Sequence, residues 1–341
     1  MSAKVISVRT NGTEMLNGQN LKGYYLPLGA TNIMTTGHEY DDAFVVWDWT
    51  RVPGTTAVAN QSTADLRWYL FGSNQFGGGV SNAHNGVMAY EHAYQGVEAR
   101  KAYFFMGDAM VCMGSGIKAA RTQEVRTSVN QCLANGEVTY GLSGHTYRLT
   151  NNLSDKNIDW AYHDNVGYIF PQNESVTLRK AKQTGAWREL EVTASDKPVT
   201  KEIFSLWVSH GTTPQHEDYC YIIMPDKPLS YFTDKKFENE IKIIVNSEQI
   251  QAISNENKKQ YAAVFYEPGE IRFAEDLVVA VNKKVIIYIE KKDKQYEIAV
   301  ADPLYKEQSL QLSMNGEQIN IVFPSGDYSG SSVIKHITEK H

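Results

Sequence analysis

The sequence predicts an all-β fold of packed antiparallel sheets, and three observations carry that expectation. Short runs rich in Val, Ile, Tyr, Phe and Thr recur along the chain, with clusters of Gly, Asn, Asp and Ser between them. Amphipathic helical periodicity is not sustained over a dozen residues anywhere. A hydrophobic content of 42%, with 11% aromatic, is ample for a packed core and excludes global disorder.

In chain order, Ala43–Trp49 reads as the first strand, with Trp47 and Trp49 on one face and Asp48 on the other. Pro53-Gly54 suits a type II turn, because proline sets φ at the first central position and glycine accepts positive φ at the second. Ser62–Leu70 reads as a short helix or turn, and Gly77-Gly78-Gly79 through Gly86 as a loop. Strands are expected over Gly86–Tyr94, Ala102–Met106, Ala109–Met113, Val125–Gln131, Ile203–Ser209 and Tyr219–Met224. Gly114-Ser115-Gly116, His163-Asp164 and His210-Gly211 read as strand-end turns.

Composition shifts near residue 230. Pro228–Phe237 reads as a connector ending in charge. Strands then follow over Glu240–Asn246, Ala262–Tyr266, Glu270–Phe273, Leu277–Val281, Val285–Glu290, Tyr296–Ala301, Ser309–Ser313 and Gln318–Phe323. Two domains are therefore expected, residues 1–230 and a smaller β-sandwich over 231–341. No period of 20–50 residues repeats, which argues against a solenoid or propeller.

A net charge of −6 argues against a nucleic-acid partner and against bulk capture of a sulfated polymer. Contact with such a polymer would be local, through arginines and lysines at a cleft. No run approaches the ~18 apolar residues of a membrane-spanning helix. Met1-Ser2-Ala3-Lys4 opens without the apolar stretch of a secretory signal. Cys112, Cys132 and Cys220 are too few for a disulfide framework and sit in apolar runs, so buried thiols are expected, with one bridged pair as the alternative.

Five groups of residues suggest chemistry. Gly37-His38-Glu39-Tyr40-Asp41-Asp42 concentrates ionisable side chains just before the tryptophans; it is either a solvated loop or one that presents His38 and Glu39 at a cleft. In Trp47-Asp48-Trp49-Thr50-Arg51 the aromatic faces suit a sugar ring and the Arg51 fork suits a carboxylate or sulfate. An internal Asp48–Arg51 ion pair is the competing reading. Asn82, His84 and Asn85 would sit on the glycine loop, either facing a sugar or as plain surface. Arg100 and Lys101 precede Tyr103-Phe104-Phe105, where cations beside aromatics suit an acidic polymer or merely guard an edge strand. His38, Asp48 and His84 carry no metal-ligand spacing, so no metal is assigned. The absence of a G-x-S-x-G elbow leaves nucleophilic serine catalysis without support.

Several segments, in order, carry a family resemblance. They are Gly23-Tyr24-Tyr25-Leu26-Pro27-Leu28-Gly29-Ala30, the Trp47–Thr56 run, Ala99–Phe105, Val111–Ile117, Thr127–Cys132, His163–Tyr168, Leu206–Gly211 and Ala301-Asp302-Pro303. Together they resemble the chondroitin and hyaluronan lyases of polysaccharide lyase family 8, nearest the chondroitin ABC lyase branch. The resemblance implies a large supersandwich, of hyaluronate-lyase or galactose-mutarotase type, followed by a short β-sandwich. It also implies an α/α-toroid that bears most catalytic residues, which this chain does not include, so that the chain looks like the C-terminal part of such a lyase. Export to an extracellular or periplasmic site is implied as well.

The implied reaction is β-elimination, which needs an acid, a base and an electrostatic clamp but no compulsory metal or cofactor. ABC-type lyases complete their catalytic set with a glutamate from the β-domain, and Glu39 is the candidate for it. His38, Trp47, Trp49, Arg51, Asn82, His84 and Arg100 are the candidate substrate contacts, and the expected partner is an acidic glycosaminoglycan. Alone, the chain is expected to bind or support rather than to turn over substrate. The alternatives are a stand-alone carbohydrate-binding protein, or a mutarotase-like enzyme using His84 or His210 with Glu39.

Overall fold

Many strands of this chain are apolar on both faces, and a layered stack of sheets follows from that. The computed structural model describes residues 1–10, 13–14, 17–60, 69–120 and 122–338. Its strand pairings are antiparallel, as expected for hairpins joined by short turns. Among the described residues the only α-helix is Leu229–Thr233, five residues long, and no helix is long and apolar enough to cross a membrane.

Four larger sheets stack face to face. The first has five strands in the order Leu153–Asp155, Ser175–Gly185, Val199–Thr212, Glu124–Leu133 and Thr56–Val58. The second has nine, running His145–Arg148, Val138–Leu142, Ile158–His163, Val166–Ile169, Glu217–Pro225, Ala109–Ala119, Val97–Met106, Gly86–Tyr94 and Gly77–Ser81. The third has six, running Lys242–Asn246, Ile250–Asn255, Gln260–Phe265, Val285–Lys292, Gln295–Ala301 and Val333–Thr338. The fourth is the four-stranded sheet of Gly269–Ala274, Leu277–Val281, Ser309–Met314 and Glu317–Val322.

The period-2 alternation of side chains explains the apolar runs. In the Glu217–Pro225 strand, Tyr219, Tyr221 and Ile223 pack toward the five-stranded sheet. Cys220, Ile222 and Met224 of the same strand pack toward the six-stranded sheet. Likewise Ile286 and Tyr288 join that middle layer, while Val285, Ile287 and Ile289 face the four-stranded sheet. Strands covered on both sides lose the alternation of polar and apolar residues. The same burial holds Cys112, Cys132 and Cys220 as free thiols.

Four local expectations change. Ala43–Trp49 is a 3-10 turn over Phe44–Val46 followed by extended and turn residues, not a strand. Gly77–Ser81 is an edge strand rather than a loop; its small residues let Ser7 and Pro303 approach closely. Gly114-Ser115-Gly116 lies inside the Ala109–Ala119 strand, where Gly116 at φ +60° accompanies a register shift. His210 and Gly211 likewise sit within Val199–Thr212. The expectation for Ser62–Leu70 lies outside the described residues up to 68, after which Tyr69–Leu70 pair with Thr13–Glu14. The His163–Asp164 turn and the Pro53–Gly54 turn form as expected, with Gly54 at φ +83° and Thr55 N–H donating to Val52 O at 3.1 Å.

One polar group stands out between the first two sheets. Lys101 is fully buried, and its Nζ donates to Gly54 O at 2.5 Å. Its nearest aromatic rings are Tyr219 and Tyr103, with centroids 5.9 and 6.0 Å away. Burial pulls its pKa down to about 7. The unfolded lysine binds its proton more tightly, so Lys101 makes stability rise with pH from about 7 toward its ordinary value. We expect the stability difference between wild type and Lys101→Met to change by about 2 kcal/mol between pH 7 and 9, as read from urea denaturation. A pH-independent difference would show that Lys101 keeps its ordinary proton affinity in the folded state.

Candidate functional site

The Trp47–Thr55 segment is held on the five-stranded sheet by backbone and side-chain hydrogen bonds. Gly54 N–H donates to Ser128 O at 2.7 Å, and Ser128 N–H donates back to Thr55 O at 2.9 Å. Gln131 clamps the run just ahead of this turn. Its Oε1 accepts from Asp48 N–H at 2.9 Å, and its Nε2 donates to Asp48 O and Arg51 O, both at 3.1 Å. On the other side, Tyr103 OH donates to Gly29 O at 2.9 Å, beside the Lys101 contact with Gly54. A Cβ at Gly54 would meet Gly29 O at 2.3 Å, so only glycine fits both the space and the positive φ.

This clamp presents a cation and part of an aromatic cluster. The rings of Phe44 and Trp47 lie 4.6 Å apart, and those of Trp47 and Trp49 5.6 Å apart. Trp47 is buried, whereas Phe44 is 38% exposed and Trp49 is half-buried. Phe44 and Trp49, rather than Trp47, are thus the rings a ligand can reach. Asp48 is turned into its own loop. It accepts from Thr50 N–H and Oγ1 and pairs with Arg51 Nε at 3.0 Å. The Arg51 guanidinium also lies 4.3 Å over the Trp207 ring.

Glu39 does not face a cleft. Its carboxylate is buried and accepts the backbone N–H groups of Thr35, Thr36 and Gly37 at 2.6–3.0 Å, together with both threonine hydroxyls. Burial pushes its pKa up, but the hydrogen bonds from Thr36 and Thr35 outweigh that and carry it to about 2. Its own carbonyl accepts Leu133 N–H, so the loop is tied to the end of the Glu124–Leu133 strand. His38 is exposed and paired with Asp41 at 2.8 Å, and that partner raises its pKa.

Three other expected contacts lie elsewhere. Asn82 is buried against the six-stranded sheet, donating to Glu290 and Glu297 at 3.2 and 2.8 Å. Arg100 reaches the same part of the chain, pairing with Glu248 at 3.3 Å and lying over Tyr266 at 5.5 Å. His84 is exposed on the turn beside Asn82. Asn82 and Arg100 hold the nine-stranded sheet to the C-terminal strands and do not share a surface with Trp49 and Arg51.

His210 is buried, with Nε2 2.8 Å from Thr127 Oγ1, and burial takes its pKa down to about 3. Neither Glu39 nor His210 is open to a ligand, so these two residues do not form the His/Glu pair of the mutarotase-like alternative. Among the described residues, no three His, Cys, Asp or Glu side chains form a group that could hold a metal ion.

Comparison with known proteins bears on this geometry. Residues 1–236 match the polysaccharide lyase family 8 super-sandwich domain, and residues 242–311 match the family 8 C-terminal beta-sandwich domain. The chain belongs to polysaccharide lyase family 8. It is 32% identical to the chondroitinase-AC of Pedobacter heparinus, over 97% of this chain and 48% of that protein. A solved chondroitinase AC lyase, 30% identical, superposes on 98% of this chain and 50% of its own with a TM-score of 0.91. The chondroitin sulfate ABC exolyase of Bacteroides thetaiotaomicron is 28% identical over 64% of this chain and 23% of that protein. Among these relatives, identity and coverage favour the AC enzyme over the expected ABC branch.

This family 8 chain spans about half the length of the chondroitinase-AC relatives it matches. What sequence reasoning missed in it is the surround of Arg51: Glu124, Arg126, Arg179 and Trp207. These residues come from three separate strands, and only the strand register brings them to one face.

Removing the Glu39 carboxylate leaves several loop donors without an acceptor. Glu39→Ala is expected to cost roughly 2 kcal/mol or more in chemical denaturation at pH 7. Because the folded pKa is depressed, this stabilisation is present above the ordinary carboxylate value and fades as pH falls toward 2. A neutral effect at pH 7 would show that the carboxylate does not organise the loop.

Proposed function

We propose that this chain is the sheet-built portion of a lyase that cleaves uronic-acid-containing glycosaminoglycans by β-elimination. Its own part is to hold the acidic polymer along one wall of the cleft. In this reaction a base removes the C5 proton of the uronate and positive charge neutralises the carboxylate. An acid then protonates the departing O4, leaving a 4,5-unsaturated sugar.

The single observation that supports this division of labour is the state of the chain's own acid–base groups. Glu39 is locked by its loop, and His210 is buried with its proton affinity suppressed. Tyr24 and Tyr25 are buried, with burial raising both pKa values, that of Tyr24 to about 12. Tyr40 OH is engaged by Ile33 N–H and Asn130, and burial raises its pKa too. None of these groups faces a common open position. What the chain offers a substrate is an arginine on an aromatic bed. The acid and base would come from an α/α-toroid in the same or another polypeptide, acting outside the cell or in a periplasm, where the polymer substrate is found.

Incubated alone with chondroitin sulfate or hyaluronan, the 341-residue chain is expected to generate no ultraviolet absorbance from unsaturated uronide. Sustained turnover would overturn the proposal.

A further inference from the structure

Trp207 occupies the outer face of the five-stranded sheet, since its neighbours Leu206 and Val208 point into the core between the sheets. Ser128 and Thr177 stand directly opposite it on the two adjoining strands. Arg126 lies opposite Ser209, and Arg179 opposite Ser205. The two arginines are therefore two positions from Trp207 in opposite directions, on opposite neighbours and on the same face. Such diagonal pairs are ~7–8 Å apart, within reach of long side chains. Arg51 arrives from the clamped loop above.

The guanidinium carbons of Arg51 and Arg126 lie 4.3 and 5.3 Å from the centre of the Trp207 ring. Trp207 is only 7% exposed, so it serves as a platform for the cations rather than as a stacking surface for a sugar. Burial lowers the Arg51 pKa and Asp48 opposes that, while Arg126 and Arg179 push it the same way as burial. Both neighbouring cations therefore bear on Arg51.

The carboxylates nearby do not match them. Asp48 pairs with Arg51 at 3.0 Å. Glu124 Oε2 takes both Nε and Nη2 of Arg126, and its Oε1 accepts the Ser209 hydroxyl. Arg126 Nη1 is buried with no partner, and among the described residues Arg179 has neither an ion pair nor a hydrogen-bonded acceptor. Three arginines thus face two committed carboxylates. A guanidinium over an indole face gains cation–π attraction, and its planar N–H fork can still serve a carboxylate or sulfate.

We propose that Arg51, Arg126 and Arg179 form an oxyanion subsite around Trp207 that takes one carboxylate or sulfate of an acidic polysaccharide. The ligand class rests on the function proposed above; the unmatched cations do not. Carboxylate and sulfate ester share this chemistry, because both present coplanar or forked oxygens to a guanidinium. The loop clamp pre-organises Arg51, so little side-chain freedom is lost on binding.

The test is calorimetric titration of wild type and Arg179→Gln with three probes: a chondroitin sulfate hexasaccharide, a hyaluronan hexasaccharide and inorganic sulfate. Arg179 is half-buried with no internal partner, so the variant is expected to melt with wild type. Affinity for at least one hexasaccharide should fall about tenfold or more, the loss of one charged hydrogen-bonded contact. A fall with hyaluronan assigns the subsite to the carboxylate; a fall confined to the sulfated chain assigns it to the sulfate ester. Equal hexasaccharide binding by wild type and variant overturns the subsite while the function stands. Binding of inorganic sulfate alone, weakened in the variant, keeps the cation site and overturns its polysaccharide ligand. No binding of any probe by wild type overturns both.

Discussion

The hydrogen bond from Lys101 Nζ to Gly54 O crosses from the nine-stranded sheet to the loop on the five-stranded one, and much of the site's geometry depends on it. A fully buried ammonium with no carboxylate partner is costly, and a carbonyl at 2.5 Å is its hydrogen-bonding compensation. Tyr103 adds a second anchor on Gly29, so two glycine turns are tied to one strand. Both glycines have positive φ, and neither has room for a side chain. The loop is held from below by Lys101 and Tyr103 and from the sheet side by Gln131 and Ser128. Arg51 is the residue that this fixation aims.

The same layering assigns different tasks to charged residues that look alike in sequence. Arg51, Arg126 and Arg179 gather on the outer face of the first sheet, where their charge exceeds that of Asp48 and Glu124. Arg100 is on the opposite face of the second sheet, matched to Glu91 and Glu248, and holds the C-terminal strands in place. A net charge of −6 therefore coexists with a local cationic patch. The proposed elimination needs positive charge at a uronate, and Glu39 and His210 are too enclosed to supply its proton transfers.

Much of the fold was legible in the sequence because strand runs and turn residues carry local signals. Gly86–Tyr94 and Leu277–Val281 coincide with observed strands, and the Pro53–Gly54 turn followed from φ preferences alone. Ala43–Trp49 misled because an apolar run with aromatic residues reads as a strand, whereas here it turns to pack Phe44 on Trp47. Gly77–Ser81 misled in the other direction: its glycines serve close packing, not loop mobility. The site was less legible. Glu39 looked available, yet Thr35 and Thr36 just before it supply the donors that enclose it, a local pattern the sequence does contain. Asn82 and Arg100 could not be placed, because their partners lie some 150 to 215 residues away. Arg126, Arg179 and Trp207 meet only through strand register, which residue types alone do not disclose.

The proposed ligand contact at the outer face of the five-stranded sheet is open to direct measurement. Nuclear magnetic resonance can follow arginine Nε–H and tryptophan indole signals while a chondroitin sulfate hexasaccharide is added. Shifts concentrated at Arg51, Arg126, Arg179 and Trp49, with Arg100 unmoved, are expected. Shifts centred on Arg100, or none at the three clustered arginines as the sugar binds, would contradict the proposed contact.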